Sequence, residues 1–289
     1  MDFAFMVSGS ILAKAGAMRD IMLAACAGDQ NEMAIIIKSR DEIALMREAG
    51  RINALALEAV RQSVRPGVST AELNAIAEEV IRSHHALPVF LHYPNPTYAN
   101  CPYPATITAS LNDELVHGIP SKRRVLKEGD ILSVDCGCTF KGFVGDSAIT
   151  VGVGAVSPEA ERLIRITEEA LYQGIAAARV GRRMGDVSHA IQVYAESHGY
   201  NVVREYTGHG VGRDMHEDPL IPNWGTPGTE VALRAGMTFA LEPMFMLGSP
   251  KVYTKRDHWT VATKDHKLCA HWEHTIAVTD GEAEILTLP

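Results

Sequence analysis

The stretch DILSVDCGCTFKGFVGDSAIT, residues 130–150, consists of two β-rich runs on either side of a Lys141-Gly142 turn. Runs of this kind bounded by a glycine turn predict an antiparallel hairpin. With Phe140 and Lys141 at its centre, residues whose numbers sum to 281 face each other, which sets Asp135 opposite Asp146. Directly opposed residues have Cβ atoms about 4.5–5.5 Å apart, and like charges at that distance destabilise a sheet unless something sits between them. The flanking Leu132, Val134 and Val151 are apolar, which argues against a solvated pair. On the hairpin alone a plainer alternative stays open, with one Asp buried against a turn and the other exposed.

Further along, YTGHGVGRDMHEDP (206–219) places His209 and His216 seven positions apart among Gly208, Gly210 and Gly212. Glycines allow a backbone to approach a ligand closely. The spacing is not that of a helical HExxH pair, whose histidines share one face. His84, His85, His189, His198, His258 and His266 lack such surroundings and read as ordinary surface or core residues. In MTFALEP (237–243), Met237, Phe239 and Leu241 alternate with Thr238, Ala240 and Glu242, and Pro243 ends the pairing. In HWEHTIAV (271–278), Trp272, His274, Ile276 and Val278 alternate with His271, Glu273 and Thr275. A strand that is apolar on one face ordinarily exposes its charge on the other, so each Glu taken singly is unexceptional.

Taken together, Asp135, Asp146, His209, Glu242 and Glu273 make an oxygen-rich, strongly anionic group. Buried without cations, four carboxylates would repel one another and lose their hydration, at a cost of many kcal/mol. One divalent ion neutralises half of that charge and two balance it. The set reads as a two-metal hydrolase site.

The motifs SLNDELVHGIP (110–120), GDILSVDCG through FVGDSA (129–148), GHGVGRDMHEDP (208–219), MTFALEPM (237–244) and WEHTIAVT (272–279) resemble, in order and spacing, those of the type I methionine aminopeptidases. The resemblance spans roughly residues 34–288. It implies an α+β pita-bread fold, in which a curved antiparallel sheet is backed by helices in two pseudo-twofold αβ halves. The sequence carries a trace of that duplication. Residues 64–85 align with 178–199 without a gap, pairing Leu73 with Val187, Ala77 with Ile191, and Ser83-His84 with Ser197-His198. A helix is expected before each copy. One, over about 41–63, has a capping box in Ser39-Arg40-Asp41-Glu42; the other, over about 158–178, starts at Ser157-Pro158.

What the resemblance implies for function is removal of the N-terminal methionine from nascent polypeptides, with a small second residue preferred. Asp146 and Glu273 would bridge two divalent ions, Asp135 would complete one site, and His209 and Glu242 the other. Co, Mn, Fe and Zn all suit such mixed donors. Glu242 would also take the proton of the attacking water, His216 would donate to the oxyanion, and His117 would contact the scissile amide. The resemblance assigns the methionine pocket to Tyr103, Thr108, Met215 and Trp259, with His117 at its edge. Thr108 and Met215 depart from the commoner Cys and Phe, which is expected to alter pocket shape and inhibitor preference while activity survives. His271 stands where relatives often carry Gln, next to Glu273.

Composition fits an ordinary enzyme. The chain has 289 residues, 46% of them hydrophobic, and a formal net charge of −8, which argues against general nucleic-acid binding. Lacking an apolar run of about 20 residues, it is expected not to span a membrane. Its five cysteines form no disulfide framework, which suits a cytoplasmic enzyme. Residues 33–289 read as a single catalytic domain, with a monomer as the default. Residues 1–32 lie outside the resemblance and read as a dispensable, poorly ordered extension or a misassigned start upstream of Met33. The basic run SKRRVLK (121–127) reads as a solvated loop, with transient docking on ribosomal RNA as the alternative.

Three rival identities are weaker. Xaa-Pro aminopeptidases share the five-ligand set but carry a large N-terminal domain, and only 134 residues precede Asp135 here. Type II methionine aminopeptidases carry an insertion after the loop histidine, whereas His209 and Glu242 are 33 positions apart. Non-catalytic pita-bread binding proteins lose ligands that this chain retains.

Overall fold

The computed structural model describes residues 35–289. The expectation for residues 1–32 falls outside them. Among the described residues four helices form, three of them where a serine supplies the cap. Helix α1 (Arg40–Ser63) starts at Ser39, whose side chain accepts from the amide of Glu42 while Glu42 reaches back, completing the capping box. Helix α2 (Thr70–Ser83) repeats the device with Ser69 and Glu72. Helix α3 (Pro158–Ala177) has Ser157 as its cap and Pro158 in its first turn. Helix α4 (Met184–Ser197) follows it.

The strands run β1 (Leu87–Pro88), β2 (Ile107–Leu111), β3 (Glu114–Val116), β4 (Ile131–Phe140), β5 (Phe143–Gly152), β6 (Asn201–Val202), β7 (Thr207–Gly210) and β8 (Glu217–Pro222). They continue with β9 (Thr238–Leu241), β10 (Met244–Met246), β11 (Val252–Thr254), β12 (Val261–Thr263), β13 (Cys269–His271), β14 (Glu273–Ala277) and β15 (Glu284–Ile285). The main sheet is antiparallel and runs β1-β4-β5-β14-β9-β7-β8, with β2 also on β4 and β15 on β14.

The duplication is visible in the packing. One apolar core joins α1 and α2 to β2 and β4 through Leu57, Leu73, Ile81, Ile107 and Val134. A second joins α3 and α4 to β9 and β14 through Leu163, Val187, Ile191, Phe239 and Ile276. The aligned pairs Leu73/Val187 and Ala77/Ile191 are fully buried. Both repeat helices also end alike. The Nδ1 of His84 lies 2.9 Å from the carbonyl of Val80, and that of His198 lies 2.8 Å from the carbonyl of Tyr194. Each ring thereby occupies a carbonyl that the helix end leaves free.

The hairpin β4–β5 forms, but its register differs from the expected one. Residues pair when their numbers sum to 283, so Asp135 faces Ala148 and Asp146 faces Gly137. The turn is Lys141-Gly142, with φ of 49° and 81°. Both values are positive, as a two-residue turn matching the twist of its strands requires. The shift of two positions keeps every side chain on its expected face. Asp135 and Asp146 are therefore diagonal neighbours rather than direct partners. Among the described residues no helix is long and apolar enough to cross a membrane.

Candidate metal centre

Five adjacent strands of the main sheet each bring one of the expected donors to the same region. Asp135 lies on β4, Asp146 on β5, Glu273 at the start of β14, Glu242 one residue beyond β9, and His209 on β7. The pairing of His274 with Leu241 sets Glu273 and Glu242 side by side. The face carrying Glu273 and Thr275 is as buried as the opposite one, so solvated charge does not account for Glu273. Thr275 holds the β5 backbone there, donating to the Asp146 carbonyl at 2.8 Å and accepting from its amide at 3.2 Å.

One oxygen on each of three of the carboxylates has no other occupation. Asp135 Oδ1, Asp146 Oδ1 and Glu273 Oε1 are buried without a hydrogen-bond partner. Asp146, His209 and Glu273 can each offer one donor atom within 4.8 Å of the others. The Nδ1 of His209 lies 2.9 Å from the carbonyl of Gly210, which places the ring proton there. Its Nε2 then presents a lone pair to Asp146 Oδ2 and Glu242 Oε1, each at 3.7 Å. A lone pair facing two carboxylates with nothing between them is unfavourable; with a cation between them it is a ligand set.

Electrostatics agree. Burial raises the Asp146 carboxyl to about 7. It lifts Asp135, Glu242 and Glu273 well above the usual carboxylate range, and the neighbouring carboxylates add to the effect. Burial likewise lowers His209 and His271 to about 3, so both imidazoles are neutral donors at physiological pH. Residues of these types, buried together and starved of partners, fit divalent metal.

The remaining expected residues gather around this group. Met215, Tyr103 and Trp259 share one apolar cluster with Phe90, Val144 and Val211. Tyr103 meets Trp259 edge-on at 5.1 Å, and its hydroxyl donates to the carbonyl of Gly118 at 2.9 Å. Trp259 is fixed by its indole N–H, which donates to the carbonyl of Cys101 at 2.9 Å. Thr108 pairs with Asp135 across β2 and β4. The His117 ring stands 6.2 Å from Trp259, and burial lowers its pKa to about 4. The exposed His216 ring lies 4.2 Å from that of His209.

The protein belongs to metallopeptidase family M24. That family's model matches residues 44–280. Within it, a methionine aminopeptidase of Clostridium acetobutylicum is 48% identical over 88% of this chain and 99% of its own. Methionine aminopeptidase 1 of Bacillus subtilis is 49% identical over 88% of this chain and 99% of its own. A crystal structure of methionine aminopeptidase from Thermotoga maritima superposes with a TM-score of 0.85 at 45% identity, over 89% of this chain and all of that one. The M24 fold is the pita-bread fold, as the motifs implied.

Four features of the M24 site were read incompletely, or not at all, from sequence. The glycines of GHGVG make room for neighbouring protein, backbone at Gly208 and Gly210 and side chains at Gly212. A Cβ at Gly208 would stand 2.4 Å from the Ala240 carbonyl, and one at Gly210 would stand 2.2 Å from that of Asp218. Tyr93 was missed; its hydroxyl lies 2.6 Å from Nδ1 of His216, and its LHYPNP surroundings carry no periodic signal. Asn223 was missed too; its amide donates to the Glu242 carbonyl at 3.0 Å. His271, expected from its place beside Glu273 to tune the ligands' surroundings, turns its unpartnered Nε2 towards Glu242 at 3.6 Å and Glu273 at 3.8 Å, a direction sequence did not give.

Proposed function

We propose that the protein is a methionine aminopeptidase that removes the first residue of nascent polypeptides by dinuclear-metal hydrolysis, preferring a small second residue. The observation that carries this reading is the set of orphaned buried oxygens close to the His209 lone pair, with an apolar cluster beside it. Asp146 and Glu273 would hold both ions, Asp135 one of them, and His209 with Glu242 the other. Cobalt, manganese, iron and zinc are the candidate metals. When bound, such ions lower the pKa of a shared water towards neutrality and polarise a peptide carbonyl.

The protein groups supply the rest. Glu242, less enclosed than Glu273, accepts the proton of the attacking water. His216 is open to the cleft but desolvated by the atoms packed around the rest of its ring, which lowers its pKa, so it is neutral at physiological pH and donates a hydrogen bond to the developing oxyanion. His117, neutral for the same reason, contacts the scissile amide from the other side. The methionine side chain fills the space between Tyr103, Thr108, Met215 and Trp259. The working unit is a monomer. Exposed Lys122, Arg123 and Lys127 are the basic side chains of the 121–127 loop open to transient ribosome contact.

The deciding experiment uses metal-stripped protein reconstituted anaerobically with each of the four ions. Met-Ala-Ser and Ala-Pro-Ser are the substrates, and Glu242→Ala is the blank. Release of methionine alone, lost in the blank, is expected. Cleavage before proline moves the protein to the Xaa-Pro peptidases, and no cleavage with metal bound leaves a binding protein.

A further inference from the structure

Lys38 is nearly buried, and its ammonium pairs with the carboxylate of Glu217, the two side chains being 3% and 6% exposed. The same ammonium donates to the Ile36 carbonyl at 3.3 Å, and the Lys38 amide donates to the carbonyl of Gly236 at 2.8 Å. The second oxygen of Glu217 accepts from the amides of Arg213 at 2.8 Å and Asp214 at 3.4 Å. One carboxylate therefore closes the 213–217 turn on itself and ties it to the segment ahead of α1. Gly212 leaves room for this arrangement, since a Cβ there would stand 2.4 Å from both Glu217 Oε1 and the Cε of Lys38.

The residues enclosed by that turn are Met215, buried in the apolar cluster, and His216, exposed to the cleft. Arg213 and Asp214 are exposed; Met215 packs into the apolar cluster, and the Arg213 guanidinium lies 4.3 Å from the Phe143 ring and pairs with Glu42 at 3.3 Å, so Lys38–Glu217 is the buried ionic tie of the turn beside one exposed one. A group that stabilises a transition state has to be held within about 0.5 Å of its productive place by the residues around it. A buried ion pair is a costly way to gain stability, because apolar residues of similar volume do as well or better. What it supplies here is a fixed connection between two segments.

We propose that Lys38, acting through Glu217, is a positioning residue for His216. The proposal rests on the methionine aminopeptidase reading for the role of His216. The ion pair fixes the 213–217 turn so that the His216 imidazole stands where the oxyanion forms. Removing the pair lowers turnover even where the protein folds.

The test replaces both charges, Lys38→Met with Glu217→Met, so that no unpaired buried ion remains to unfold the chain. The pair variant is made in the full-length protein and again in the His216→Ala background, and all are assayed with Met-Ala-Ser and saturating manganese. Expected is a kcat about tenfold lower with KM changed less than about threefold, the mark of an interaction made only in the transition state. In the His216→Ala background the pair variant is expected to change nothing further. An unaltered kcat, or an equal fall with and without His216, overturns the proposal. Amide exchange over residues 212–218, followed by mass spectrometry, needs no activity. It is expected to quicken in the pair variant, and unchanged protection there also overturns the proposal. Wild-type protein that releases no methionine counts against the functional reading alone, and the exchange measurement then decides the role of Lys38.

Discussion

The hydroxyl of Tyr93 lies 2.6 Å from Nδ1 of His216, with the two rings 5.5 Å apart and tilted by 59°. Burial raises the Tyr93 phenol and lowers the His216 imidazole, so both are neutral at physiological pH. If the phenol donates to Nδ1, the single imidazole proton resides on Nε2. That tautomer is the one able to donate towards an oxyanion from the cleft side.

Tyr93→Phe removes that hydroxyl and keeps the ring. The hydrogen bond is worth about 1 kcal/mol, which corresponds to roughly a fivefold fall in kcat. KM for Met-Ala-Ser should change little, and Tm should stay within a few degrees. Steady-state kinetics check it; a kcat equal to wild type means that some other contact sets the tautomer.

In the metal-free protein the acidic cluster makes stability depend on pH. Asp146 titrates at about 7, and Asp135, Glu242 and Glu273 are also raised, in each case first by burial. A carboxyl with a folded pKa above its unfolded value of about 4 carries a proton that the unfolded chain lacks, so stability falls as pH rises between the two values. Buried His117 and His274, lowered to about 4, and His209 and His271, lowered to about 3, oppose this at lower pH. Their contribution ends near the unfolded histidine pKa of about 6.5. Between about pH 6.5 and 8 the carboxyls act alone. The Tm of chelator-stripped protein is therefore expected to fall across that interval, and saturating manganese to remove the fall. A flat or rising Tm in the stripped protein contradicts the buried carboxyl set.

Arg124 sits within the basic 121–127 run but is committed to the fold. It pairs with the buried Glu114, whose other oxygen takes the ammonium of Lys255 at 2.7 Å, and it donates to the Ile119 carbonyl at 3.1 Å. Arg124→Ala should cost about 1–3 kcal/mol, by leaving Glu114 under-neutralised. Lys122→Glu and Arg123→Glu, at exposed positions, should each stay within about 0.5 kcal/mol. Urea unfolding separates the two cases. Ribosome co-sedimentation should accordingly be tested with Lys122, Arg123 and Lys127, leaving Arg124 in place.

Much of this was legible in the sequence because it is written locally. The caps of α1 and α3 are consecutive residues, and the alternation in 237–243 and 271–278 places Glu242 and Glu273 on the faces where they are found. The 114-residue repeat is written as helical spacing, which the paired cores preserve. The missed contacts have no local trace. Lys38 and Glu217 are 179 positions apart, and Tyr93 and His216 are 123 apart. The glycines of GHGVG were legible as close approach, but not what approaches, because two backbones and a ligand make the same demand.

The hairpin register was missed because alternation cannot distinguish pairings that differ by two, and the turn itself makes the choice. Lys141 and Gly142 both adopt positive φ, and only glycine does so without strain from a Cβ. Nothing but the Arg213 guanidinium, 3.8 Å away, lies near a Cβ placed at Gly142. Gly142→Ala should therefore cost about 1 kcal/mol from backbone strain alone. Lys141→Asn, which suits the first position of such a turn, should raise stability by a few tenths of a kcal/mol. Both changes are read by urea unfolding. Had the turn been centred on Phe140 and Lys141, Gly142 would lie in a strand, and alanine there would stabilise the protein instead.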